Sequence, residues 1–239
     1  MNQYSALLTD LDDTLLKSYE QYKPALDYTA EVLAERFNID EQELKKIVYK
    51  ERSSLRLLMP NLPVGHNRLI SFRKSLDKMG VKYLLGQLSD INELFWDKFI
   101  NEVEVFNGAV EALDTLRENG IKIIVVSDGE LTSRLKKIEK TGLDKHIDDI
   151  VSSEEVIFEK PFGSIFHLAL RKIDKDPDEV IMLGNHLVND VHGAQQVGIR
   201  AGLFDPEDGG NVYGKDKADV IKPDFVAKNY DDLLKEFDL

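Results

Sequence analysis

Gly120–Gly129 reads GIKIIVVSDG, and the fold turns on how this stretch is taken. The run from Ile121 to Val126 is nearly all β-branched, which favours a strand over a helix. It does not alternate apolar with polar, so both faces need cover, as in a parallel sheet flanked by helices. AVEALDTLREN just before it has helical period and is closed by Gly120. Downstream the texture repeats: a helix over about Leu131–Thr141, a strand over Asp149–Ser152, a helix over Ser164–Ile173 and a strand over Val180–Gly184. A helix over Val191–Val197, a strand over Ile199–Phe204 and a last strand near Phe225 complete the series. Strand–helix alternation of this kind predicts right-handed βαβ units around a parallel sheet.

Upstream the pattern is different. Tyr4–Thr9 reads as a short buried strand, but from Pro24 to about Glu104 the chain is almost wholly helical. ALDYTAEVLAERF sets Leu26, Ala30, Leu33 and Phe37 on one helical stripe. A second helix starts at Asp40, with acidic residues in its first turn. MPNLPVG (Met59–Gly65) interrupts the pattern, and two more helices follow near His66–Met79 and Leu88–Asn101. The expected fold is therefore α/β: a Rossmann-like parallel sheet core with helices on both faces, and an inserted α-helical domain after the first strand. The expected boundaries are 1–16 plus 106–239 for the core and 17–105 for the insertion.

Composition narrows the function. The 239 residues carry a net charge of −13, which disfavours nucleic acid and anionic membranes as partners. There is no cysteine, which excludes disulfides and thiolate metal sites and fits a cytoplasmic location. No stretch approaches the roughly 20 apolar residues of a membrane span, and MNQYSALLTD has neither the basic start nor the apolar length of a signal peptide.

In open α/β sheets ligands bind beyond the carboxyl ends of the strands. There the chain places Asp10, Asp12 and Thr14 after the first strand, Ser127-Asp128-Gly129 after the second, and Asn185 and Asp190 after VIMLG. Lys160 lies in the loop IFEKPFG. Carboxylates, a hydroxyl, an amide and a lysine at one sheet edge suit a divalent ion and a phosphoryl group. Asp is also a competent nucleophile for phosphorus.

TDLDDTL (Thr9–Leu15) resembles the first motif of the haloacid dehalogenase (HAD) superfamily. VVSDG resembles its second, EKPFGSIF its third and GNHLVNDVHGA its fourth, all in the family's order. The helical insertion is similar to the family's C1 cap. The resemblance implies that Asp10 is the nucleophile and a Mg²⁺ ligand. Asp12 is then the general acid and base, with its backbone carbonyl on the metal. It implies that Thr14 fixes the loop, that Ser127 and the N–H groups of Asp128 and Gly129 hold phosphoryl oxygens, and that Lys160 neutralises charge. Asp190 belongs to the metal end. The family's usual aspartate is replaced by Asn185, which still offers a carbonyl oxygen to a metal but no charge. Asp12 favours a phosphatase over a dehalogenase, because an alkoxide needs a proton on leaving and a halide does not. Asp13 is expected to be a solvated or loop-bonding bystander.

The expected activity is a Mg²⁺-dependent phosphomonoesterase on a small phosphate ester, a sugar phosphate or nucleotide 5′-phosphate, in a monomer or homodimer. A phosphomutase and a catalytically weakened binding module, suggested by Asn185, are the alternatives. Within the insertion Arg52, Arg56, His66, Arg68 and Arg73 are candidate substrate contacts, although solvated faces are the more ordinary role for each. Phe95, Trp96 and Phe99 read as core of that domain, and His167 as a packing residue.

Overall fold

A computed structural model describes residues 4–207 and 210–239. The first three residues of the amino-terminal stretch lie outside it. The chain divides into two compact units, Met1–Tyr19 with Glu104–Leu239, and Glu20–Val103.

The first unit is built on a six-stranded parallel sheet. Its strands are β1 (Ala6–Thr9), β4 (Lys122–Ser127), β5 (Asp149–Ser152), β6 (Val180–Gly184), β7 (Arg200–Phe204) and β8 (Phe225–Ala227), in the spatial order β5-β4-β1-β6-β7-β8. The GIKIIVVSDG strand is β4, buried from Ile123 to Ser127. β1 and β6 are buried along their whole length, as strands covered on both faces must be. β1 is central: Thr9 sits opposite Val125 of β4 and Leu183 of β6, so Asp10 leaves the sheet within two residues of the carboxyl ends of both neighbours. Helices α5 (Ala109–Glu118), α6 (Leu131–Thr141), α7 (Ser164–Ile173), α8 (Gly193–Gln195) and α9 (Tyr230–Lys235) belong to this unit. Leu8, Ile124, Val126, Phe166, Met182 and Leu187 share one buried cluster.

Two details differ from the sequence reading. Leu16–Lys17 and Glu104–Val105 pair as a short antiparallel ribbon, β2 with β3, and residues 17–19, 104 and 105 fall in the sheet-containing unit. The ribbon is too short for a periodic signal. The helix expected over Val191–Val197 instead begins as a π-helix at Leu187–His192, continued by the single turn of α8. The imidazole Nδ1 of His186 accepts from the N–H groups of Val188 and Asn189 and so starts the helix four residues early.

The second unit contains α1 (Tyr22–Phe37), α2 (Glu41–Leu58), α3 (Arg68–Lys78) and α4 (Ile91–Asn101). The Asp40 side chain accepts from the Glu43 N–H and caps α2, and Asn67 caps α3 in the same way. Phe95, Trp96 and Phe99 form the aromatic core with Tyr22, their rings 4.7–6.5 Å apart. Arg68 is buried with its guanidinium 4.5 Å from the Phe95 ring centroid, whereas Arg73 is exposed. Arg52 is partly buried. Desolvation and the neighbouring Arg56 pull its pKa down to about 10. No helix of the described residues is long and apolar enough to cross a membrane.

Candidate active site

β1 delivers Asp10 and Asp12 to one sheet edge, and a tight loop holds them there. The Asp13 N–H donates to the Leu16 carbonyl, and Asp13 takes a left-handed φ of 59°. Its buried carboxylate accepts from the N–H groups of Ser18 and Tyr19, at 3.0 and 2.8 Å. Asp13 is therefore loop-bonding, not solvated. Burial pushes it up to about 6 against those two hydrogen bonds. Thr14 is buried, and its carbonyl accepts from the Tyr230 hydroxyl of α9.

Lys160 is the hub of the site. Its Nζ lies 2.7 Å from Asp10 Oδ1 and 2.6 Å from Asp190 Oδ1, and also donates to the Val126 carbonyl. Burial alone would lower the lysine, but Asp10 and Asp190 hold it charged. Burial pushes Asp10 up to about 7 despite Lys160, and Asp190 adds to the rise. Asp128 is pushed up to about 7 for the same first reason; its carboxylate accepts from the Lys160 N–H at 2.9 Å and so anchors the lysine loop to the end of β4. Three carboxylates crowded about one ammonium invite a further cation.

Asp190 comes close because Gly184 has no side chain: a Cβ there would collide with the Asp190 carboxylate. Asp190 Oδ2 accepts from the His186 N–H at 2.8 Å, closing the turn between β6 and the π-helix. Asn185 is buried in that turn. Its Oδ1 is 3.4 Å from the Thr14 hydroxyl and its amide donates to the Asn211 carbonyl. Asn185 thus ties two loops to the site. His186 stacks on Tyr213 at 5.6 Å and is a structural residue.

Asp10 and Asp190 with the Asn185 carbonyl and the Asp12 backbone oxygen fit an ion that is held by one or two carboxylates and completed by water and substrate. They do not make an all-protein cage: among the described residues no group of three or more His, Cys, Asp or Glu could hold a metal.

The turn expected to hold phosphoryl oxygens departs from that expectation at Gly129. Its N–H donates to Ser153 Oγ at 2.8 Å, so this donor is already engaged. Ser127 is buried at the end of β4, and its Oγ accepts from Arg134 Nε at 3.3 Å, which leaves the hydroxyl proton to be donated elsewhere. Gly129, at φ 106°, admits the same guanidinium, since a Cβ there would lie 2.7 Å from Arg134 Nη2.

Arg134 and Lys137 are site residues that sequence reasoning missed. Lys137 is 0% exposed and grips both oxygens of Asp12, at 2.6 and 2.7 Å; Arg134 Nη2 is 3.6 Å away and the Ser18 hydroxyl donates at 2.6 Å. Burial would raise Asp12, but Lys137 and then Arg134 hold it well below the usual carboxylate range. Of the apolar residues of α6 only Ile138 is buried: Leu135 is 48% exposed, and Ser133, Arg134 and Lys137 take the other inward positions. The available signal was negative: α6 has too few apolar residues to cover a sheet face. His167, read as packing, lies on the exposed side of α7 because Ile165, Phe166, Ala169 and Leu170 fill the inward positions.

The family model described as haloacid dehalogenase-like hydrolase matches residues 4–198. The chain is 27% identical over 209 residues to a ribulose-1,5-bisphosphate 5-phosphatase of Halopiger xanaduensis, covering 85% of this chain and 86% of that protein. It is 29% identical over 199 residues to a pyrimidine 5′-nucleotidase of Escherichia coli, with 81% of each covered. Among solved structures, a 2-haloacid dehalogenase from Pseudomonas syringae superposes with a TM-score of 0.73 at 21% identity, over 98% of this chain and 97% of that one.

Proposed function

We propose, from the premise that this chain belongs to the haloacid dehalogenase-like hydrolases, that it is a phosphomonoesterase for a small phosphorylated metabolite. The observation that carries this reading is the pairing of Asp10 and Asp12 at one strand end, with Lys160 on the first and Lys137 on the second. Fold likeness does not choose the reaction, because a dehalogenase shares the fold. Asp12 chooses it.

Asp10, in its ionised form, attacks phosphorus. The P–O bond to the leaving group breaks, and Asp12, which Lys137 and Arg134 hold ionised in the free site, takes up the proton of the bound phosphate monoanion and passes it to that oxygen. Water then attacks the aspartyl phosphate and gives its proton to Asp12. This frees Asp10 and inorganic phosphate. Lys160 steadies the charge on Asp10 and the phosphoryl oxygens throughout, and Ser127 with the Asp128 N–H supplies donors to those oxygens. Mg²⁺ would be held by Asp10, Asp190 and the oxygens of Asp12 and Asn185; it would offset negative charge on the phosphoryl group. A sugar phosphate or nucleotide 5′-phosphate heads the substrate list, as in the named activities of the two relatives.

The test is hydrolysis of 4-nitrophenyl phosphate with Mg²⁺. Wild type should turn over and Asp10→Asn should fall by at least about a thousandfold, as loss of a nucleophile does. Turnover retained in Asp10→Asn would refute the assignment. A requirement for an added bisphosphate activator would instead favour a mutase.

A further inference from the structure

Asp12 is held more firmly than a residue that merely ends a strand. Its two carboxylate oxygens are both within 2.7 Å of one ammonium, and one of them also accepts from the Ser18 hydroxyl. Lys137 reaches it from α6, 125 residues along the chain, with no exposed surface of its own. Burying a lysine is costly, and a buried pair adds little to stability over apolar residues of the same size. A polar pair retained at a sheet edge, beside the nucleophile's strand, is better accounted for by what it positions.

We infer that Lys137 is a positioning residue for Asp12: by holding both oxygens it fixes where the carboxyl group meets the leaving-group oxygen, while Arg134, one turn earlier, does the same for the Ser127–Gly129 turn. This rests on the phosphatase reading and adds to it a residue outside the four motifs. In this role Lys137 acts through Asp12, whose two oxygens it holds, so its loss should act only where Asp12 acts. Proton delivery matters greatly for a poor leaving group such as phenolate and little for 4-nitrophenolate, which departs without a proton. A purely structural lysine would slow both esters alike.

The experiment is steady-state hydrolysis of phenyl phosphate and 4-nitrophenyl phosphate by the Mg²⁺-supplied full chain, as wild type, Lys137→Met, Asp12→Asn and the double variant. Lys137→Met should lower kcat/KM, which reports the leaving-group step and not the later hydrolysis that Asp12 also assists, about 100-fold on phenyl phosphate and less than about 10-fold on 4-nitrophenyl phosphate. In the Asp12→Asn background the same substitution should change kcat/KM on neither ester by more than about twofold. If Lys137→Met does not fold, Lys137→Gln, which keeps one donor to Asp12, is measured in its place. Equal losses on both esters, no loss, or a full further loss on Asp12→Asn would overturn the role. Wild-type inactivity on both esters would overturn the phosphatase reading and this role with it; wild-type turnover with the wrong variant pattern overturns this role alone.

Discussion

Asp10, Asp12 and Asp13 are neighbours in the chain, and their surroundings make them different chemical groups. Asp10 shares Lys160 with Asp190, Asp12 is gripped by Lys137, and Asp13 faces backbone N–H groups. Asp13 gives a stability prediction with a definite sign. Its folded value of about 6 exceeds the unfolded value near 3.9, so the folded chain holds the extra proton between those limits. Stability from this group is therefore lost as pH rises through about 4 to 6. Asn keeps an acceptor, carries no charge and tolerates the left-handed φ. Asp13→Asn should melt at or above wild type at pH 7 and lose that advantage at pH 4. Asp13→Ala should lose about 1–2 kcal/mol at both, a drop of about 2–8 °C. Melting curves at the two pH values decide it; an Asn advantage independent of pH would count against the account.

Asn185 is tested by charge. Asn185→Asp should lower the Mg²⁺ concentration for half-maximal activity by about tenfold, since a fixed anion beside a divalent ion is a large local contribution. Equal half-saturation in the two proteins would mean that residue 185 serves only as the tie to Thr14 and Asn211.

The elements that carry the site are strand ends and the turns that leave them. Gly184 ends β6, and the absence of a Cβ there lets Asp190 fold back onto the turn. Gly184→Ala should displace Asp190, cost about 1–3 kcal/mol by overpacking and lower activity together with Mg²⁺ affinity. Urea denaturation and a Mg²⁺ titration check both halves, and an unchanged Mg²⁺ response would show that Asp190 tolerates the shift. The π-helix that follows is a local adjustment of a kind often found at functional sites. α6 shows the other way an element serves a site: its buried face is chosen by Asp12 and Ser127 rather than by its own leucines.

Burial falls off at the β8 edge of the sheet, while the opposite edge strand β5 stays buried from Ile150 to Ser152. Leu8 on β1 is fully buried between two paired strands, while Val226 on edge strand β8 is 45% exposed. Leu8→Ala should cost about 2–5 kcal/mol, and Val226→Ala should stay within about 0.5 kcal/mol. Chemical denaturation of the two variants separates them, and comparable losses would contradict the layering.

The sheet, its strand ends and the places of Asp10, Asp12, Ser127, Lys160 and Asp190 were legible in the sequence. Buried parallel strands write themselves as short β-branched runs, and chemistry collects where such runs stop. What could not be read depended on contacts between distant residues. The engagement of the Gly129 N–H by Ser153, the tie from Asn185 to Asn211 and the β2–β3 ribbon have no local periodic signature. The inward face of α6 is the sharpest instance: Leu135 is exposed, while Arg134 and Lys137 turn inward to the carboxylate of Asp12, a partner more than a hundred residues away. The sequence by itself determined which residues gather at the sheet edge, because burial and local pattern dictate the strands. Only the tertiary structure decided their charge states and partners, because those depend on desolvation and on ion pairs closed over more than a hundred residues of chain.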